Sequence, residues 1–300
     1  MEKMFKKIVA VDEVGLELEA YDAMTRYAHE FVKFNDYPDD ATIIERMKGA
    51  DVMLVSWHTT IGKNILQACK DLKYVGMCCS LYDEASANVD IAAAREMNIQ
   101  VLGVRDYGDE GVAEFVVAQM VQLLHGFGEN RWRARPSEIT GFKFGLIGLG
   151  AAGRLVAKAM QHFGAEIYYY CRTPRDDAES LGYHYLPLNE LLTTVDAIST
   201  HLPKNNPIIR KKELEIFGNG KIIINTSIGP TYDVDDVKNW LDCKDNYLIT
   251  DSCGMGAYVK DFETYSNSIY FPIVCADAVQ MHQRLSQKVL NNIETALDKV

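Results

Sequence analysis

The sequence predicts an α/β protein built on mostly parallel sheets covered by helices. Short apolar runs alternate with longer amphipathic ones along the chain. That βαβ rhythm restarts after a polar stretch near residue 130. A glycine cluster, Gly148-x-Gly150-x-x-Gly153, follows directly on one of the apolar runs. Each apolar run of three to five residues is too short for a helix and suits a strand buried on both faces.

Taken in order, Lys7–Val11, Val52–Val55, Tyr74–Met77 and Gln100–Leu102 are the strands of a first series. Ala20–Phe31, Ala41–Met47 and Asn88–Glu96 have helical patterning and would lie between them. A helix from about Glu110 to Phe127 comes next. It is apolar on most faces, which predicts deep burial or a subunit contact. Gly128–Ser137 carries three arginines among polar residues and has the composition of a linker or surface loop. A second series then supplies strands at Lys143–Ile147, Glu166–Tyr170, Ala197–Ser199, Lys221–Asn225 and Tyr247–Thr250. A last helix, about Val279–Lys299, closes the chain. No internal repeat of fixed period is present.

Composition narrows the role. The 300 residues are 48% hydrophobic, enough for a sizeable core and for one large domain or two ordinary ones. The formal charge is −11, from 31 Lys+Arg against 42 Asp+Glu. Phosphate-gripping proteins need a basic surface, so a nucleic-acid partner is not expected. No apolar run reaches the roughly 18 residues that span a bilayer, and none near the amino terminus is long enough for a signal-peptide core. The seven cysteines are odd in number and form no Cys-x-x-Cys pair. They fit a reduced, cytoplasmic protein with no disulfide framework and no metal site.

The glycine cluster carries the most specific chemistry. Strand, tight turn, helix and second strand are the context a dinucleotide site requires. Gly148 permits the turn, Gly150 lets the backbone approach a pyrophosphate, and Gly153 allows close helix–strand packing. Ala151, Ala152 and Gly153 open a helix whose unpaired N–H groups face the phosphates. The next strand ends at Tyr170 and is followed by Cys171-Arg172-Thr173. An NAD site usually has Asp or Glu here to bind the ribose 2′-hydroxyl. Without that carboxylate nothing repels a 2′-phosphate; Arg172 can pair with it and Thr173 can donate to it. NADP is therefore favoured over NAD.

From about residue 50 to 295 the chain resembles the D-isomer-specific 2-hydroxyacid dehydrogenase family, which includes phosphoglycerate dehydrogenase and glyoxylate/hydroxypyruvate reductase. The resemblance rests on Leu72-Lys-Tyr-Val-Gly76, Asn88-Val-Asp-Ile-Ala92, Val112-Ala-Glu114, Gly145–Gly150, His201-Leu-Pro203, Ile222-Ile-Ile-Asn-Thr226, Asp251 and Asn292-Ile293. It implies two Rossmann-like domains. The cofactor domain (104–275) would be inserted into a smaller, flavodoxin-like substrate domain (1–103 and 276–300). It also implies that His201, Leu202, Pro203, Thr226, Ser227 and Asp251 line the cofactor groove. Together with the Val112–Leu124 helix it favours a homodimer.

The chemistry departs from the family. Family members use an Arg to bind the 2-oxo acid, a His as general acid, and a Glu that supports the His. Carbonyl reduction builds negative charge on oxygen, so a proton donor must stand close. The matching positions here are Ile228, Gly256 and Ile273. The Gly-x-Gly loop that cradles the substrate carboxylate is replaced by Cys79-Ser80-Leu81. His58, on the loop after a strand of the first series, is a candidate replacement acid. Tyr107, Asp277 and His282 are weaker candidates. Cys78 and Cys79 are either reactive thiols or small buried residues. Two functions remain open. One is an NAD(P)-dependent oxidoreductase whose carbonyl substrate or proton donor differs from the family norm. The other is a catalytically inactive homologue that binds the cofactor as a sensor or as structure.

Overall fold

The computed structural model describes residues 4–204 and 206–299. The backbone divides into two compact units, Met1–Tyr107 with Ala278–Val300, and Gly108–Asp277.

The smaller unit is built on β1 (Phe5–Ala10), β2 (Ala28–Lys33), β3 (Val52–Val55), β4 (Tyr74–Ser80) and β5 (Gln100–Val104). They form one sheet in the order β2-β1-β3-β4-β5, parallel throughout. Alternation along the strands feeds two cores. Val9, Met53 and Val75 point to one face with Ile43, Ile65 and Ala94. Ile8, Leu54 and Tyr74 point to the other. There the last helix, Val279–Leu297, lays down Leu285, Val289, Ile293 and Ala296 at helical spacing.

The sequence boundary of 103 falls four residues before the observed division at Tyr107. The extra residues are tied to this unit. Arg105 donates from Nε to the Leu81 carbonyl (2.6 Å), and Arg284 donates from Nε to the Tyr107 carbonyl (2.8 Å).

The expected helix Ala20–Phe31 is not one element. A short helix, Leu18–Ala23, and a single 3₁₀ turn, Met24–Arg26, lead into strand β2. This strand is an edge strand with His29 and Glu30 exposed. Its polar face imitates the solvent side of a helix, which hid the change of period.

The larger unit contains β6 (Lys143–Ile147), β7 (Glu166–Tyr170), β8 (His184–Tyr185), β9 (Ala197–Thr200), β10 (Ile222–Asn225), β11 (Tyr247–Thr250) and β12 (Ser268–Tyr270). Their order is β12-β11-β10-β9-β6-β7-β8, again parallel. The chain starts at β6, builds outward to β8, then crosses back to β9 and builds the other way. Such a reversal leaves a crevice at the carboxyl ends of β6 and β9. Strands β9, β10 and β11 are buried at every residue, as strands covered on both faces must be.

The long helix runs Asp109–His125 and stops at Gly126, which adopts φ +70°. Its Val116, Met120 and Leu124 are buried in this unit's own core with Val156 and Met160 of the helix Ala151–His162. The stretch Gly128–Ser137 is more than a surface linker. Trp132 is 5% exposed, sits in the same core, and donates from Nε1 to the Gly220 carbonyl at 3.0 Å. Tyr247 donates from its hydroxyl to the Arg131 carbonyl at 2.9 Å. One buried tryptophan anchors a polar stretch whose composition gave no sign of it.

Candidate functional site

The turn after β6 shows why it needs glycine. Gly148 has φ +97°, and a Cβ placed on it would collide with the His201 carbonyl oxygen. A Cβ on Gly153 would collide with the Gly148 carbonyl oxygen, so the helix packs hard against the turn. Gly150 is different: a Cβ there would meet nothing within 4 Å. Gly150 is the N-cap of the helix Ala151–His162, and no side chain caps the amides of that first turn. Two of the glycines are therefore fixed by the protein's own packing. The third leaves open space before a helix amino terminus, where an anion can reach the backbone.

At the end of β7, Cys171 is half-buried while Arg172 and Thr173 are exposed. The Cys171 thiol donates to the Thr173 carbonyl at 2.9 Å, folding this loop on itself. No carboxylate stands at position 171. A feature not expected from sequence lies beside it: Arg154, in the first turn of the helix, pairs with Asp177 at 2.7 Å. That hydrogen bond holds the Asp177 carboxyl below its ordinary pKa. The spacing between helix and loop gave no local signal for the pair.

Across the crevice, the His201 amide donates to the Ile147 carbonyl at 2.8 Å, tying the end of β9 to β6. The imidazole Nε2 shares a hydrogen bond of 3.0 Å with the Ser199 hydroxyl. Burial pushes the His201 pKa down to about 4, so the ring is neutral near pH 7. The Leu202 amide donates to the Ser227 hydroxyl oxygen at 3.0 Å, and that hydroxyl donates to the Thr200 carbonyl at 3.0 Å. Pro203 is exposed. Asn225 is wholly buried and organises the next loop. Its Nδ2 donates to the carbonyls of Gly229 (3.1 Å) and Gly254 (2.9 Å), and its Oδ1 accepts from the Ser227 amide at 3.1 Å. The sequence marks Asn225 only as part of Ile222-Ile-Ile-Asn-Thr226; its bonds to the loop leave no local signal. The Thr226 hydroxyl, beside it, is a buried polar atom with no protein partner. Asp251 is buried, with both oxygens engaged: one accepts from the Gly254 amide at 2.7 Å, the other from the Cys275 amide at 3.0 Å.

The three positions where the resemblance implies Arg, Glu and His lie close along this same edge. Gly229 donates its amide to the Cys253 carbonyl (2.9 Å), and the Ser252 amide donates to the Ile273 carbonyl (2.9 Å). Ile228 and Ile273 thus flank one short segment, Ser252–Cys253. Gly256 lies against Gly229 and Pro230. It has φ +57° and ψ −132°. Ile228 is 48% exposed and Ile273 is 54% exposed. Tyr258, on the turn after Gly256, is 41% exposed.

In the smaller unit, His58 lies exposed after β3. Its amide donates to the Ser56 hydroxyl oxygen at 3.2 Å. Its ring lies between Trp57 and Tyr37, with centroids 3.6 and 4.5 Å away. Ser56 donates from amide and hydroxyl to the buried Asp12 carboxylate, at 2.9 and 2.7 Å, which fixes the start of the loop. Both aromatic neighbours were missed from sequence; Trp57 is adjacent in the chain and was the available signal. Tyr107 has its pKa pushed up to about 12, by burial before any other cause. His282 Nδ1 lies 2.7 Å from the Gly15 carbonyl oxygen. Asp277, in the larger unit, donates its amide to the Val274 carbonyl at 2.9 Å. Cys78 and Cys79 are buried, and burial raises both thiols, Cys79 to about 12. A buried protonated thiol is a poor nucleophile.

The carboxylate-cradle position is also closed. Ser80 pairs with Val104 as a continuation of β4, and the Leu81 amide donates to the Val104 carbonyl at 3.0 Å. Among the described residues no three or more His, Cys, Asp or Glu come together to hold a metal, and no helix is long and apolar enough to cross a membrane.

A seven-stranded parallel sheet, reversed at β6, with a glycine turn open at Gly150, defines a dinucleotide-binding α/β domain. Residues 111–251 match the family model described as D-isomer specific 2-hydroxyacid dehydrogenase, NAD binding domain. That match assigns residues 111–251 to the NAD-binding domain of the D-isomer-specific 2-hydroxyacid dehydrogenase family. It is 26% identical over 211 residues to hydroxypyruvate reductase of Blautia hydrogenotrophica, covering 64% of this chain and 64% of that protein. It is 30% identical over 206 residues to D-3-phosphoglycerate dehydrogenase of Methanocaldococcus jannaschii, 64% of this chain and 38% of that protein. The matched stretch therefore spans less than two thirds of either relative. Among solved structures, an acyclic imino acid reductase in complex with NADPH and D-Arg superposes with a TM-score of 0.82 at 22% identity, covering 98% of this chain and 97% of that one. D-2-hydroxyisocaproate dehydrogenase gives 0.81 at 18% identity, covering 98% and 97%. These likenesses show the two-domain fold.

Proposed function

We propose that this protein is an NAD(P)-dependent oxidoreductase that interconverts a small carbonyl compound and its alcohol, with NADPH preferred. One observation carries the reading: the glycine turn is packed shut at Gly148 and Gly153 and open at Gly150, before an uncapped helix. The orphaned Thr226 hydroxyl nearby is a ready partner for a ligand.

In this reading Gly148, Gly150, Ala151, Ala152 and Gly153 hold the pyrophosphate. Cys171, Arg172 and Thr173 surround the ribose 2′ position, where a guanidinium and no carboxylate favour a phosphate. The NADPH captured in the imino acid reductase supports that preference. His201, Leu202, Pro203, Thr226 and Ser227 line the rest of the groove, and Asp251 holds its far end in shape.

Bound nicotinamide would supply a hydride to the carbonyl carbon; the π pair then moves onto oxygen, which takes a proton. Isoleucine and glycine cannot supply that proton. We assign the donor role to His58, whose ring is held between Trp57 and Tyr37. A homodimer completes the reading, on the strength of the family resemblance.

The test pairs titrations of NADH and NADPH with turnover on a panel of 2-oxo acids, aldehydes and ketones. NADPH should bind about tenfold tighter, and one carbonyl class should consume it with saturation. His58→Gln should keep cofactor affinity and lose turnover. Tight binding with no turnover on any carbonyl would overturn the enzyme reading in favour of a non-catalytic cofactor-binding protein.

A further inference from the structure

We infer that the substrate is an uncharged carbonyl compound with apolar substituents, and that Ile228, Ile273 and Tyr258 determine this specificity. The inference rests on the oxidoreductase reading above and names its substrate class.

The larger unit carries the first observation. Ile228 and Ile273 bracket Ser252–Cys253 through the Gly229-to-Cys253 and Ser252-to-Ile273 hydrogen bonds, both 2.9 Å. Both side chains are about half exposed, and Tyr258, two residues after Gly256, is exposed as well. Single exposed apolar residues are ordinary, but Ile228 and Ile273 sit on backbone bonded to one short segment, and the turn ending at Tyr258 follows that segment, which makes an apolar patch. The patch is joined to the dinucleotide groove by a continuous chain of contacts. Ile147 holds His201, the neighbouring Leu202 holds Ser227, and Ile228 is the next residue. The Asn225 bonds to Ser227, Gly229 and Gly254 fix this geometry.

Asp251, which follows β11 directly before Ser252–Cys253, has its two oxygens occupied by the Gly254 and Cys275 amides. The Cys253 and Cys275 thiols are raised by burial, Cys253 to about 11, and stay neutral. An anionic substituent laid on the two isoleucines would lose water and gain no charge from them, whereas an apolar one would lose little and cover exposed side chains.

The smaller unit, taken by itself, gives an independent second observation. The Cys79–Leu81 backbone continues β4, and its Leu81 amide is bonded to Val104. It carries Cys79, Ser80 and Leu81 where the family resemblance implies a Gly-x-Gly loop for a carboxylate.

The test compares benzylacetone with 2-oxo-4-phenylbutanoate on the full protein with NADPH. The two share a carbon skeleton and differ by methyl for carboxylate. The ketone should be favoured in kcat/KM by at least about tenfold. Ile228→Arg should reverse the preference by raising the acid and lowering the ketone. Ile228→Ser should lower the ketone without raising the acid. Preference for the acid in the unmodified protein would overturn the inference and leave the oxidoreductase reading standing. If neither is reduced, equilibrium binding to the NADP-loaded protein decides, using the acid and the alcohol of benzylacetone. Binding of the alcohol alone upholds this substrate class while removing the enzyme reading. Binding of the acid, or of neither, overturns it.

Discussion

The carboxylate of Asp251 receives the backbone amide of Cys275 at 3.0 Å while its other oxygen receives that of Gly254 at 2.7 Å. One buried side chain thus joins the end of β11 to the segment after β12, 24 residues on. Asp251→Ala would leave one buried and one half-buried amide without a partner. We expect a loss of about 2–3 kcal/mol of stability, read as a lower urea midpoint with an unchanged slope. A variant as stable as the parent would show the bonds to be dispensable.

The glycine turn separates folding from binding. Gly148→Ala places a side chain at φ +97° and into the His201 carbonyl, so it should cost about 2 kcal/mol or more. Gly150→Ala meets open space and should leave thermal unfolding unchanged. Its methyl group would intrude where a pyrophosphate approaches, lowering NADPH affinity by about tenfold or more. Calorimetric titration beside a thermal melt distinguishes the two variants.

Cofactor choice should turn on the loop after β7. Arg172→Ala should weaken NADPH by about tenfold and leave NADH little changed. Cys171→Asp should shift preference toward NADH, since a carboxylate accepts from a 2′-hydroxyl and repels a 2′-phosphate. Equal effects on both cofactors would place Arg172 away from the 2′ position.

His201 links stability to acidity. Its folded pKa, about 4, lies below the unfolded value of about 6.5. The unfolded chain therefore binds the proton first as pH falls. The stabilisation from the neutral buried ring is fully present above about pH 6.5 and declines toward pH 4, by up to about 3 kcal/mol. His201→Gln should flatten the stability profile in that window, measured by urea unfolding at stepped pH. An unchanged slope would remove His201 as its source.

The central strands were legible because burial on both faces writes an uninterrupted apolar run. Val52–Val55, Lys143–Ile147 and Tyr247–Thr250 match their expected bounds residue for residue. The edge strands were not: β8 has two residues and β12 three, too few to establish a period. Glycines declare themselves because their backbone tolerates no substitute, so Gly148 and Gly153 were readable. The contacts of Asn225, the Arg154–Asp177 pair and the seating of Trp132 join residues distant in the chain, and no local pattern encodes them. The same limit hid the backbone bonds by which Gly229 and Ile273 are tied to Ser252–Cys253.

Gly256 sets a limit on what substitution alone can do here. At φ +57° and ψ −132° it holds a backbone conformation that glycine adopts freely and glutamate resists. Placing the Arg, His and Glu that the family resemblance implies at 228, 273 and 256 would put the first two on exposed loops and strain the third. The turn acts as a ratchet: a glutamate fits at 256 only if the backbone around it is rebuilt, while the other two positions accept a new side chain without that cost.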